Sequence, residues 1–228
     1  MAVPTSIDID LAALRAQFPA LGLRVNGDPV VYLDNPAGTQ VPQRVIDRTG
    51  EYWRTMNANH GGVFATSSRS DARFDEVRRA AAAFLNASSP AEIVFGANMT
   101  TLTFAFSRAI AREPKPGDEI VVTRLEHDGN ISPWLALTEQ GIQGRGPETT
   151  VPDCRLDMAD LQRQITPRTR LVAVPHAANA VGTIPDPKAV ARLAHAVGAR
   201  HWADAVHNGR TGGTCVKESE CEFRGCTA

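Results

Sequence analysis

Short apolar runs alternate along this chain with amphipathic stretches that carry their own start and stop signals. That alternation limits the fold more than any other feature of the sequence. Strands alternating with helices argue for a mostly parallel sheet covered by helices on both faces, an α/β architecture. Val30-Val31-Tyr32-Leu33 reads as a short strand ending at Asp34, and Glu92-Ile93-Val94-Phe95 as a buried strand. Between them, Asp71 is expected to cap a helix whose face carries Phe74, Val77, Ala81, Phe84 and Leu85. After Gly96-Ala97-Asn98 a further helix is expected, with Leu102, Ala105, Phe106, Ala109 and Ile110 on one face. A Pro114–Asp118 turn leads into the strand Glu119-Ile120-Val121-Val122, and Leu171-Val172-Ala173-Val174 is another, ending at Pro175-His176. The helix that follows has Asp186 as cap, Pro187 at its first position and Gly198 as its stop. His201-Trp202-Ala203 reads as a weak strand leading to Asp204, since histidine and alanine pack poorly in a buried sheet.

Two segments break the pattern. Gly141 to Pro147 places three glycines where a strand is expected. From Arg210 to Ala228 large apolar residues are scarce, and such a segment buries too little surface to offset its ordering entropy. The expected organisation is an N-terminal helical segment over 1–29, a sheet domain over 30–209, and a disordered or out-of-frame tail over 210–228. Cys215, Cys221 and Cys226 crowd into that tail. Their spacing does not match paired zinc ligands, so a metal knuckle, a reactive thiol and an unstructured tail all stand as readings.

Composition narrows the function classes. Twenty-four basic residues against 25 acidic ones leave a net charge of -1 and no concentrated basic patch, so neither nucleic acid nor membrane is the expected partner. The first residues have no basic or apolar signal region, and a cytoplasmic protein is expected.

Four polar sites follow predicted strands, where open α/β sheets hold their ligands. Asn98-Met99-Thr100-Thr101 lies at a helix N-terminus, either an anion site or simple capping. His127, in Glu126-His127-Asp128-Gly129-Asn130, could stack on an aromatic cofactor or serve as a turn residue. Asn179, after His176, could hydrogen-bond a ring oxygen or close a turn. Asp204, in Asp204-Ala205-Val206-His207, is a buried carboxylate that needs a cationic or proton-bearing partner. A phosphate cradle, a stacking ring and a carboxylate for a pyridine nitrogen together spell pyridoxal phosphate chemistry.

The order of motifs resembles the cysteine desulfurase and class V aminotransferase family, of fold type I. The resemblance is carried by Leu33 to Gln40, by Asn59-His60-Gly61-Gly62 through Asp71, and by Glu126 to Asn130 with Pro133-Trp134. Asn179-Ala180-Val181-Gly182-Thr183 and Asp204-Ala205-Val206-His207 complete it. It implies pyridoxal 5'-phosphate as cofactor, an amino-acid substrate and a homodimer. By resemblance, Thr100 and the Met99 amide hold the phosphate, His127 stacks on the ring, and Asp204 pairs with the pyridine nitrogen. Asn179 and His207 lie near the ring hydroxyl and the substrate carboxylate. The family's Schiff-base lysine is expected about twenty residues beyond Asp204, where this chain reads Cys221-Glu222-Phe223-Arg224-Gly225-Cys226; Lys217 lacks the flanking motif. The expectation is a large domain cut off before its catalytic lysine and small domain, inactive alone. Competing readings are an inactive remnant with weak or no cofactor binding and a metal protein using His201, Asp204 and His207. Nucleotide-binding glycine motifs and a Gly-x-Ser-x-Gly elbow are absent.

Overall fold

A computed structural model describes residues 9–34, 38–146, 149–150, 153–211 and 220–226. The chain falls into two compact units, Met1–Val77 and Arg78–Ala228.

The first unit opens with helix α1 (Leu11–Ala16), capped by Asp10, and a small antiparallel hairpin of β1 (Arg24–Val25) and β2 (Asp28–Pro29). Helix α2 spans Gln43–Thr55, and α3 (Ala65–Leu85) runs on into the second unit. Two expectations are corrected here. Beyond Val30, whose N–H donates to the Leu23 carbonyl, the predicted strand forms no ladder, and Val31 and Leu33 are exposed. Asp71 does not cap α3 but lies inside it. Its carboxylate accepts the Gly61 N–H and pairs with His60, while Ser67 Oγ donates to the Asn59 carbonyl and accepts the Gly62 N–H. The polar residues that look like a helix start therefore tie the preceding glycine loop, and the helix begins six residues earlier. Its predicted apolar face is also largely open: Phe74, Val77 and Phe84 are exposed, and Ala82 is buried.

In the second unit α4 spans Met99–Ile110, β3 Glu119–Val122, α5 Ser132–Leu135 and β4 Gln143–Arg145. A minor antiparallel pair, β5 (Thr149–Thr150) and β6 (Arg155–Leu156), precedes α6 (Met158–Gln164). Strand β7 (Thr169–Pro175), α7 (Pro187–His195), β8 (Arg200–Asp204), α8 (Asn208–Thr211) and β9 (Phe223–Gly225) follow. The main sheet has the order β4-β3-β7-β8-β9 with every pair parallel.

Strand alternation divides the core into two layers. Ile120, Val122, Leu171, Ala173 and Trp202 face one way and pack with Met99 and Ile110 of α4 and Trp134 of α5. Val121, Val172 and Val174 face the other way, against Leu161 of α6 and Val190 and Ala194 of α7. As expected, Asp186 caps α7 by accepting the Lys188 and Ala189 N–H groups, and Gly198 takes a left-handed φ of 75° just beyond it.

Five further readings change. Ile93 to Gly96 joins no sheet, and Val94 and Phe95 are exposed, because no neighbouring strand pairs with them among the described residues. The buried stripe of α4 is Met99, Thr103, Ser107 and Ile110 rather than the predicted set; Ala105 and Ala109 are exposed. The glycine segment after Gly141 holds edge strand β4, and its glycines are steric: a Cβ at Gly146 would stand 1.9 Å from the Val122 carbonyl oxygen. Strand β8 is not marginal but buried from His201 to Asp204. Beyond Arg210, the expected lack of packing gives way to β9. There Phe223 stacks at 5.1 Å from Phe106 and 5.9 Å from Trp202, and Cys221 is buried. One aromatic added to an existing layer, with a sheet edge to pair on, orders a segment too poor in apolar residues to fold by itself. Cys215 and Lys217 lie outside the described residues.

At the opposite end of the strands from the polar motifs, Glu119 is fully buried. It accepts hydrogen bonds from Thr166 Oγ1 (2.6 Å), Arg168 (2.7 Å) and Arg145 (3.2 Å). Burial pushes its carboxyl up, but these partners outweigh burial and hold it below the usual carboxylate range. Glu119→Ala is expected to cost about 3 kcal/mol at pH 7, since it leaves two arginines clustered without their acceptor. Urea unfolding checks this. With its folded value depressed, the Glu119 contribution is present above the unfolded pKa and disappears as pH falls through the folded one, so wild type and variant should converge in acid.

Candidate functional site

The C-terminal ends of three parallel strands bring the polar motifs of the second unit together. From β3 the chain passes through Thr123 and Leu125 to Glu126 and His127, and a 3-10 turn over Asp128–Asn130. From β7 it passes to His176 and Asn179, and from β8 directly to Asp204 and His207. Trp202 lies on the α4 and α5 face, so Asp204, two residues on, projects to that same side.

Helix α4 presents its N-terminus there. Asn98 caps it, accepting the Thr101 N–H at 2.8 Å, so the Met99 and Thr100 N–H groups precede the first intrahelical bond. The Thr100 hydroxyl meets the His127 turn. A Cβ at Gly129 would come within 2.5 Å of Thr100 Oγ1 and 2.9 Å of His127 Nδ1, so only glycine lets α4 and the turn approach this closely. His127 itself is exposed, its Nδ1 accepting the Gly129 N–H at 3.0 Å.

Asp204 is 7% exposed. Its Oδ1 accepts the Val206 N–H at 2.9 Å, and among the described residues no lysine, arginine or histidine forms an ion pair with it. Burial raises its pKa, against the Val206 hydrogen bond and the nearby His207 and His127, which lower it. Glu126 feels the same burial and the Asp204 charge, and its carboxyl is pushed well above the usual value. His176 lies on the other side of Asp204, its N–H donating to the Asp204 carbonyl at 2.7 Å. Burial, with the neighbouring Arg224 and His201, holds its ring neutral, down to about 3.

Thr100, His127, Asp204 and His207 are thus gathered. Met99 is buried in the first turn of α4, and Asn179 is half-buried in the loop after β7, closed by hydrogen bonds from Ala178 N–H to Thr183 and from Gly182 N–H to Ala178. The proposed metal trio is not assembled. His201 is on the opposite face of β8 from Asp204, where Glu222, His195 and Arg224 set its electrostatics. Among the described residues no three His, Cys, Asp or Glu side chains could hold a metal ion. Sequence reading gave no role to Glu126, Gly129 or Arg224. A carboxyl followed four residues later by an asparagine was the available signal for the first, and nothing in the sequence marked Arg224.

The family model for class V aminotransferases matches residues 31–225, which continues through β9. The chain belongs to the aminotransferase class-V family. A cysteine desulfurase of Pectobacterium carotovorum is 36% identical over 216 residues, covering 92% of this chain and 52% of that protein. One from Synechococcus elongatus is 35% identical, covering 96% of this chain and 35% of its own length. Among solved structures, the cysteine desulfurase CsdA of Escherichia coli superposes with a TM-score of 0.83 at 28% identity, over 96% of this chain and 54% of that one. The apo cysteine desulfurase of Thermococcus onnurineus gives 0.84 at 28%, over 97% and 54%. This class V aminotransferase chain spans about half the length, or less, of the curated relatives it matches. No helix among its described residues is long and apolar enough to cross a membrane.

Proposed function

We propose that this chain supplies the cofactor-holding part of a pyridoxal-phosphate enzyme of the cysteine desulfurase type, acting on an amino acid. The observation that carries the reading is Asp204, a carboxylate buried without a cationic partner among the described residues, at the strand end where His127 and the α4 N-terminus converge. A protonated pyridine nitrogen is the partner such a carboxylate lacks. The cofactor, when bound, supplies an electron sink for a carbanion at the substrate α-carbon.

Each residue then has a defined task. Asp204 holds the proton on the ring nitrogen. His127, whose ring is exposed, offers a flat face to the cofactor ring. Thr100 Oγ1, with the Met99 and Thr100 N–H groups, takes the phosphate at the positive end of α4. Asn179 serves the ring hydroxyl and His207 the substrate carboxylate.

In the 228 residues the only lysine after Asp204 is Lys217. The expected result is saturable, non-covalent binding of pyridoxal phosphate, competed by inorganic phosphate and much weaker for pyridoxal. Borohydride reduction followed by peptide mapping should give no stoichiometric label at any of Lys115, Lys188 and Lys217. Absence of saturable binding would sink the cofactor reading. Full labelling at Lys217, lost in Lys217→Ala, would replace the non-covalent mode with a covalent one.

A further inference from the structure

We propose that Glu126, anchored through Asn130 to Trp134, is the positioning residue for the His127 ring. The role rests on the reading of His127 as the group that stacks on the cofactor. Its basis is an unbroken path of side-chain hydrogen bonds in the segment after β3. Trp134 Nε1–H donates to Asn130 Oδ1 at 3.1 Å, and Asn130 Nδ2–H donates to Glu126 Oε1 at 2.8 Å. Trp134 is 1% exposed and Asn130 not at all. Trp134 also packs edge-on against Trp202 at 5.2 Å, two residues before Asp204 on β8. The path therefore starts at a buried core residue and ends on the residue next to His127.

The direction of the bonds dictates the residue type. An indole N–H can only donate, so Asn130 must turn its oxygen to Trp134 and its amide N–H to position 126. An acceptor is needed there, or a fully buried amide donor is left without a partner. Glutamate meets that need with Oε1.

His127 is held from its other side as well. The Gly129 N–H donates to Nδ1, so the neutral ring carries its proton on Nε2. With residues 126 and 129 both tied, the turn enters and leaves His127 along fixed directions. A stacking ring on an untied surface turn would lose rotamer freedom at each binding event, and fixing it beforehand removes that cost.

The second carboxyl oxygen, Oε2, is buried and has no hydrogen-bond partner among the described residues. Burial and the neighbouring Asp204 charge favour the protonated acid, so a glutamine should reproduce Glu126 closely. That equivalence supplies the control.

The test reads the histidine ring in the ligand-free 228-residue chain by carbon–proton correlation NMR, with the six histidines assigned by substitution. Glu126→Gln should leave the His127 ring signal in place and pyridoxal phosphate affinity within about threefold. Glu126→Ala should shift and broaden that signal and weaken binding about tenfold, equivalent to 1.4 kcal/mol. Trp134→Phe, which keeps an aromatic ring but removes the N–H, should move the signal the same way by less, and it stands in if the alanine variant fails to fold. An unmoved His127 signal in Glu126→Ala and Trp134→Phe, with native circular dichroism, would overturn the proposal. So would a glutamine variant as damaging as alanine. If wild type does not bind pyridoxal phosphate at all, the cofactor reading fails, whereas the ring signal still decides whether Glu126 positions His127.

Discussion

Asp204→Asn is expected to weaken pyridoxal phosphate binding by about 10- to 100-fold while leaving the ligand-free protein as stable as wild type or more so. The binding loss follows from replacing a charge-assisted hydrogen bond, on the order of 1.5–3 kcal/mol, by a neutral one. The stability gain has the same origin. Asp204 is held at 7% exposure with the Val206 N–H as its hydrogen-bond donor, and burial already raises its pKa. An isosteric amide keeps that bond and removes the cost of shielding a charge from water. Opposite signs for stability and binding are the mark of a residue kept for its ligand rather than for the fold. Calorimetric titration and urea unfolding of the same preparations check both halves. Equal affinities for wild type and variant would remove Asp204 from the cofactor site.

The parts of the fold that were legible in the sequence are those where local chemistry and tertiary structure agree. Asp186-Pro187 and Gly198 bracket α7 because a cap and a stop act through bonds only a few residues long. The runs at Ile120 and Leu171 are strands because apolar residues buried on both faces have few other uses. Misreadings fall where a long-range partner decided. Asp71 looks like a cap but serves the Gly61 loop, and Phe223 is ordered by Phe106 and Trp202, which lie far away in sequence. His201 and Ala203 have poor strand propensity, yet the neighbouring strands on both sides make β8 a buried strand. The polar site was legible as an order of motifs, since each motif follows its strand directly. Glu126 was passed over because its role depends on Asn130 and Trp134 being buried, and burial of an asparagine is not written in its immediate neighbours.

His201 should set much of the acid sensitivity of this fold, and His201→Leu should both stabilise the protein and flatten its pH dependence. The ring is 1% exposed, and neither nitrogen has a hydrogen-bond partner among the described residues. Burial lowers its pKa to about 4, against the nearby Glu222 carboxylate, which raises it, and with His195 and Arg224, which lower it further. In the unfolded chain a histidine titrates near 6.5. Its folded value is therefore depressed, and between these two values the unfolded state binds a proton that the folded state refuses. The resulting stability, on the order of 3 kcal/mol, is complete above about pH 7 and is lost as pH falls toward 4. His176, held at about 3, acts in the same direction, whereas the raised carboxyls of Asp204 and Glu126 oppose it. Comparing variant with wild type isolates the His201 contribution from these others. Leucine fills a similar volume without two unsatisfied nitrogens, and the backbone N–H of residue 201 keeps its bond to Glu222 Oε2 at 2.8 Å. Urea unfolding should show the variant more stable by about 1–2 kcal/mol at pH 7.5, from removal of the unpaired polar atoms. That difference should widen to about 4 kcal/mol by pH 4.5, as wild type loses its histidine contribution and the variant does not. A constant difference across that range would mean that His201 ionises in the folded protein at an ordinary pH and is not sealed in the core.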